Sequence, residues 1–119
     1  MKRKPVVSTL EFDNQVKALS KPKKYPKLPS DLRNFKQKLS AGEVPQKRAR
    51  DVDSAPVYGA RVKDSSTGVS KRDGFRVLFF EGEEKRILLF IDRRRELDAW
   101  PTDTILRMLE ESGLWSPDS

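Results

Sequence analysis

Four basic positions lie apart in sequence and could converge in space: Arg61 with Lys63, Lys71 with Arg72, Arg76, and the run Arg93-Arg94-Arg95. Arginine suits phosphate chemistry because its planar fork donates two parallel hydrogen bonds and stays charged at any working pH. Arg76 is the most telling of the set, since it interrupts an apolar run between Phe75 and Val77, where a charge is normally avoided. Like charges gathered together cost energy unless an anion sits among them. A structural alternative for Arg76 is an ion pair with Asp92 or Glu81, and for the arginine run a solvated edge or salt bridges to Glu96 and Asp98. Tyr58 and Trp100 flank the basic region and could stack an unpaired base, although a tryptophan is more often a core residue than a platform. The chain has neither histidine nor cysteine, so the commonest general base and metal ligand are missing, and disulfides and thiolate metal sites are excluded. Chemistry is left to Arg, Lys, carboxylates and hydroxyls, with no metal or cofactor called for.

These side chains need a rigid frame, and the stretch from Gly74 to Arg95 supplies it. Phe75-Arg-Val-Leu-Phe-Phe80 and Arg86-Ile-Leu-Leu-Phe-Ile-Asp92 are rich in β-branched and aromatic residues and are separated by the polar Glu81-Gly-Glu-Glu-Lys85. That pattern predicts a β-hairpin. Neither run alternates between apolar and polar, so both strands are expected in the middle of a sheet, covered on both faces. Val57-Tyr-Gly-Ala-Arg-Val62 predicts a strand before the hairpin, and Val6 to Leu10 a first strand. With these strands paired in order, Arg61, Arg76 and Arg94 can lie near one another.

Helices are predicted around the sheet. Phe12, Val16 and Leu19 have helical spacing, giving a short helix over 13–20 with Asp13 as N-cap. Pro29-Ser30-Asp31 starts a second helix whose stripe of Leu32, Phe35 and Leu39 ends at Gly42. The two would form a hairpin whose outer face carries Lys24, Lys27, Arg33, Lys36 and Lys38. Pro101-Thr102-Asp103 opens a third helix over Ile105, Leu106, Met108 and Leu109, stopped at Gly113. Residues 43–56 are expected to be an irregular connection and 63–73 a second polar one, with flexible tails at 1–5 and 114–119. The predicted class is α+β in one domain spanning 1–119: a small, mainly antiparallel sheet with an N-terminal helical hairpin and a C-terminal helix.

Composition narrows the partner. Of 119 residues, 35% are hydrophobic and 36% charged, so one modest core must serve. No apolar run approaches the roughly 20 residues that cross a bilayer, which leads us to expect a cytoplasmic protein with no membrane partner. The net charge of +7 is unevenly spread: residues 1–50 carry 14 Lys/Arg against 4 Asp/Glu, and 51–119 carry 11 against 14. A basic half in a chain of pI 9.8 points to a polyanion, nucleic acid or the ribosome.

The order of elements, with Val57-Tyr-Gly-Ala-Arg-Val-Lys63, Gly74-Phe-Arg-Val-Leu-Phe-Phe80, Ile87-Leu-Leu-Phe-Ile-Asp-Arg-Arg94 and a final helix, resembles the RelE/ParE toxin superfamily of bacterial toxin–antitoxin systems over nearly the whole chain. The resemblance implies a microbial-ribonuclease-like sheet and a metal-independent endoribonuclease, an mRNA interferase that cuts mRNA on the ribosome and so inhibits translation. It implies Arg61, Arg76 and Arg94 as the catalytic set, Arg76 matching the arginine of a Gly-Tyr/Phe-Arg motif. Lys63, Lys71, Arg72, Arg93, Trp100, Lys24, Lys27 and Lys36 would bind RNA. Trp100 stands where RelE has a tyrosine and Gly59 where it has a lysine. The implied partners are a small antitoxin, mRNA and the ribosome. The alternative is a binding protein of the same fold without nuclease activity, either a gyrase inhibitor or a degenerate toxin that only docks on its antitoxin.

Overall fold

The apolar stretch after Gly74 folds as the expected hairpin at the centre of a five-stranded sheet of order β1-β5-β4-β3-β2. In this computed structural model the described residues are 3–20, 24–45, 47–48, 55–68, 74–93 and 102–115. In chain order the elements are β1 (Val6–Ser8), α1 (Leu10–Ser20), α2 (Leu28–Ser40), β2 (Lys47–Arg48), β3 (Val57–Val62), β4 (Phe75–Glu81), β5 (Arg86–Arg93) and α3 (Thr102–Glu111). Every pairing is antiparallel except β1 with β5, so the sheet is mixed and the class is α+β.

The structure differs from the sequence reading at the start of the first helix and in the connection over 43–56, and agrees with it at Gly42. The first helix starts at Leu10, not at Asp13. Thr9 is its cap: its hydroxyl accepts from the Phe12 N–H at 3.2 Å and donates to the Leu88 carbonyl at 3.1 Å, which ties the turn out of β1 onto β5. Asp13 instead accepts a hydrogen bond from Ser8. The second helix ends at Ser40, with Gly42 just beyond it at φ 74°, a left-handed turn that glycine makes without strain. The connection over 43–56 contains β2, whose residues pair with Tyr58 and Gly59 and form an edge of the sheet.

Helices cover both faces. On one, Phe12 of α1 and Leu28, Leu32, Phe35 and Leu39 of α2 meet Ala60, Val62, Phe75, Val77, Phe79, Leu88 and Ile91 of the strands. On the other, Ile105 and Leu109 of α3 meet Val57, Leu78, Phe80, Ile87 and Leu89. This double cover explains why neither central strand alternates in sequence. Leu114 and Trp115, expected in a tail, pack against the second cluster.

The β4–β5 ladder carries one irregularity that matters for the site. Leu78 pairs with Phe90 and Phe79 with Leu88, so Leu89 is an extra residue in β5, a β-bulge. Before it, even-numbered Leu88 faces α1 and α2; after it, odd-numbered Ile91 does. Ile91 donates its N–H to Oε1 of Gln15 in α1 at 3.0 Å, on the edge of β5 left open where β1 ends.

Candidate nucleic-acid interface

Strand alternation decides where each basic side chain emerges. In β3, Ala60 and Val62 face α1 and α2, so Arg61 between them faces the α3 side. In β4, Phe75 and Val77 place Arg76 on that same side. Past the bulge, Ile91 faces α1 and α2, which puts Asp92 with the two arginines. The register confirms the row, with Arg61 opposite Arg76 and Arg76 opposite Asp92. Directly opposed side chains on one face start about 5 Å apart at Cβ, and like charges there are destabilising. Arg61 is exposed and has no ion-pair partner among the described residues, whereas Arg76 is half-buried. Asp92 spends one carboxylate oxygen on the Arg93 N–H at 2.8 Å. Glu81, the other carboxylate weighed as a partner for Arg76, is bound by Arg86 at 2.8 Å and by Lys4 at 3.7 Å.

Arg93 goes the other way. Its guanidinium lies over the rings of Tyr25 and Phe75, 4.9 and 5.4 Å from their centroids, and forms a short ion pair with Asp64. Asp64 has no exposed surface. The Thr67 hydroxyl reaches it at 2.6 Å, and the backbone N–H groups of Ser66 and Thr67 at 3.1 and 3.3 Å. Burial is the largest single influence on its carboxyl and opposes ionisation, but the Thr67 hydroxyl, the Arg93 hydrogen bond, the Thr67 N–H and the Arg93 charge together outweigh it and hold the pKa below the ordinary value. The same loop is fastened to the start of α2, where Asp31 accepts from the Ser65 hydroxyl at 2.6 Å and its N–H at 2.8 Å, and Ser66 accepts from the Lys27 N–H at 2.9 Å.

The structure therefore brings Arg61 and Arg76 together as the sequence suggested. It does not bring the helix lysines to them. Lys24 and Lys27 are exposed beside α2, and Lys36 is half-buried on its flank, all in the layer on the opposite face of the sheet. Around α2 it is Arg33 that points away from the core, while Lys36 and Lys38 lie to either side. Tyr58, offered as a stacking platform beside the arginines, instead stacks on Phe79 with centroids 6.0 Å apart on the α1/α2 face. Lys63 is exposed just past β3. Lys71, Arg72, Arg94, Arg95 and Trp100 lie outside the described residues.

Sequence reasoning missed the buried carboxylates Asp31 and Asp64. For Asp64 a signal was present: Asp64-Ser-Ser-Thr-Gly68 directly after a strand is a side-chain-capped turn, and Gly68 takes φ 73°. Gly74 was read only as a strand boundary. A Cβ there would lie within 3.0 Å of the Val62 carbonyl oxygen and at 3.2 Å from the Asp64 nitrogen, so its bare backbone lets the end of β3 approach the start of β4 closely.

A cavity of about 250 Å³ opens elsewhere, lined by Thr9, Glu11, Leu89, Met108, Glu111 and Ser112, with none of the arginines on its wall. Among the described residues no helix is long and apolar enough to cross a membrane. Comparison of the chain with protein-family models, curated proteins and solved structures returns no match.

Proposed function

We propose that the chain is the toxin of a type II toxin–antitoxin system, a RelE-like endoribonuclease that cleaves mRNA on the ribosome. The observation that carries this reading is the pairing of Arg61 with Arg76 on one face of the sheet, at the end where Arg94 follows β5 in sequence. Opposed arginines on one face concentrate positive charge, and a guanidinium is suited to donate to phosphate oxygens. Support also comes from the element order and from the parallel pairing of the first strand with the last, beside an antiparallel hairpin.

In this mechanism an RNA 2′-hydroxyl loses its proton to water and bonds to the adjacent phosphorus as the bond from phosphorus to the 5′-oxygen breaks, the departing 5′-oxygen taking up a proton from water and the 2′,3′-cyclic phosphate remaining. Arg61, Arg76 and Arg94 stabilise the charge that builds on the phosphoryl oxygens, which is usually the largest catalytic contribution. Lys71 or Arg72 positions the RNA backbone. An antitoxin with acidic side chains would neutralise the same arginines. One observation favours the binding-only alternative: Asp92, in register with Arg76, already offsets part of the positive charge in the row.

The test is primer extension of cellular mRNA after induction of the wild type and of the Arg76→Ala/Arg94→Ala double variant. Cuts inside translated codons that vanish in the double variant are expected. Intact mRNA from a folded, expressed wild type refutes the nuclease and leaves the gyrase-inhibitor or antitoxin-docking reading.

A further inference from the structure

We propose that Asp64, acting through Arg93, is a positioning residue for the arginine rim, and that Arg93 is a strut of the site instead of an RNA contact. The inference rests on the ribonuclease reading above. Its starting point is that β3 and β5 are not neighbours, since β4 lies between them. Two strand spacings of about 4.8 Å separate them. Asp64 nevertheless reaches Arg93, and the chain that carries it past Val62 lies so close to the start of β4 that a Cβ on Gly74 would meet the Val62 carbonyl oxygen and the Asp64 nitrogen.

The consequence is mechanical. Asp64 is three residues beyond Arg61, and Arg93 immediately precedes Arg94. The ion pair thus ties the loop that follows Arg61 to the last residue of β5, which Arg94 follows in sequence, across the strand that carries Arg76. Both partners are held from more than one side. Asp64 is gripped by Thr67 and Ser66, and that loop is bonded to Asp31 of α2. Arg93 is stacked against Tyr25 and Phe75, which themselves meet edge to face at 5.0 Å. Arg93 is thereby turned to the face opposite Arg61 and Arg76, so its charge does not compete for the phosphate that they would share. A site built of long, flexible arginines depends on such a brace, because misplacement by about 1 Å can cost a hundredfold in rate.

The experiment measures single-turnover cleavage of a ribosome-bound mRNA at increasing protein concentration for the wild type, Asp64→Asn and Arg93→Lys. Asp64→Asn removes the charge but keeps an oxygen for Thr67; Arg93→Lys keeps a charge but loses the fork and the ring stacking. For both, the saturating rate should fall about tenfold to a hundredfold, with the half-saturating concentration within about twofold of the wild type. Circular dichroism and thermal midpoint verify folding, and Arg93→Lys carries the test if Asp64→Asn does not fold. A rise in half-saturating concentration that parallels the loss of rate would make Arg93 an RNA contact and overturn the proposal. So would an unchanged saturating rate in both variants. A wild type that does not cut at all refutes the nuclease reading and the positioning role with it, an outcome distinct from a wild type that cuts equally well without the brace.

Discussion

Gly74→Ala offers a sharp test of how the rim is built. The glycine is fully packed, and a methyl group there would press on the Val62 carbonyl oxygen at a separation that real Cβ atoms essentially never show. That oxygen belongs to the backbone and cannot swing aside like a side-chain end. Relief requires the end of β3 to lift from the start of β4, where Val62 pairs with Phe75. Overpacking of this kind costs about 1–3 kcal/mol, and loosening the terminal ladder hydrogen bond adds about 1 kcal/mol. A loss of about 2–4 kcal/mol would be a large share of the roughly 5–15 kcal/mol that a domain has. In urea, at a slope of about 2 kcal/mol/M, the midpoint should fall by about 1–2 M with the slope unchanged. Gly113→Ala is the internal comparison. Nothing lies within 4 Å of its Cβ position, and its cost comes only from φ 72°, about 1 kcal/mol. A Gly74→Ala protein within about 0.5 kcal/mol of the wild type, or no less stable than Gly113→Ala, would refute the close approach of the end of β3 to Gly74 and weaken the case for the Asp64–Arg93 brace that follows it in the chain.

Two further outcomes are expected. Gln15→Leu removes the acceptor for the Ile91 N–H and should cost about 1–3 kcal/mol in urea unfolding, the usual penalty for a buried donor left unpaired; a neutral result would show that water serves the bulge equally well. Asp64 should mark the acid limb of the stability curve. Its folded pKa lies below the unfolded value of 3.8, so its contribution is complete above that value and is lost as pH falls through the lower, folded one. The stability gap between the wild type and Asp64→Asn should therefore hold steady from neutral pH to about pH 5 and close only below 3.8; a gap that closes at pH 5 to 6 would contradict the assigned direction.

Much of the frame was legible because its signals are local. The central hairpin, β3 and the apolar stripes of α2 and α3 follow from period and propensity, and Gly42 and Gly113 mark helix ends by their left-handed turns. What escaped was set by distant partners. Thr9 outcompetes Asp13 as a cap because its hydroxyl also finds the Leu88 carbonyl, 79 residues away. The two residues of β2 carry no periodic signal and are a strand only because β3 offers them an edge. Arg61 and Arg76 could be placed together from simple antiparallel order, but the role of Arg93 could not. It depends on a bulge and on a buried aspartate in a loop whose composition, read alone, says only that it turns.

The bulge at Leu89 acts as a change of phase within β5. Every residue after it answers to the opposite parity from every residue before it, so the chemistry of the strand's last residues is written in a different frame from its core. Were β5 instead to run regularly through Leu89, with Leu89 opposite Leu78, Asp92 and Arg93 would each move to the other's face: the carboxylate to the side of Tyr25 and Asp64, the guanidinium to the side of Arg61 and Arg76. The rim would then hold two carboxylates on one side of the sheet and one more cation on the other, whereas the bulge keeps Asp92 beside Arg76 and Arg93 beside Asp64. A single-residue insertion of this kind lets a strand keep its apolar interior while choosing, independently, which way its charged end points.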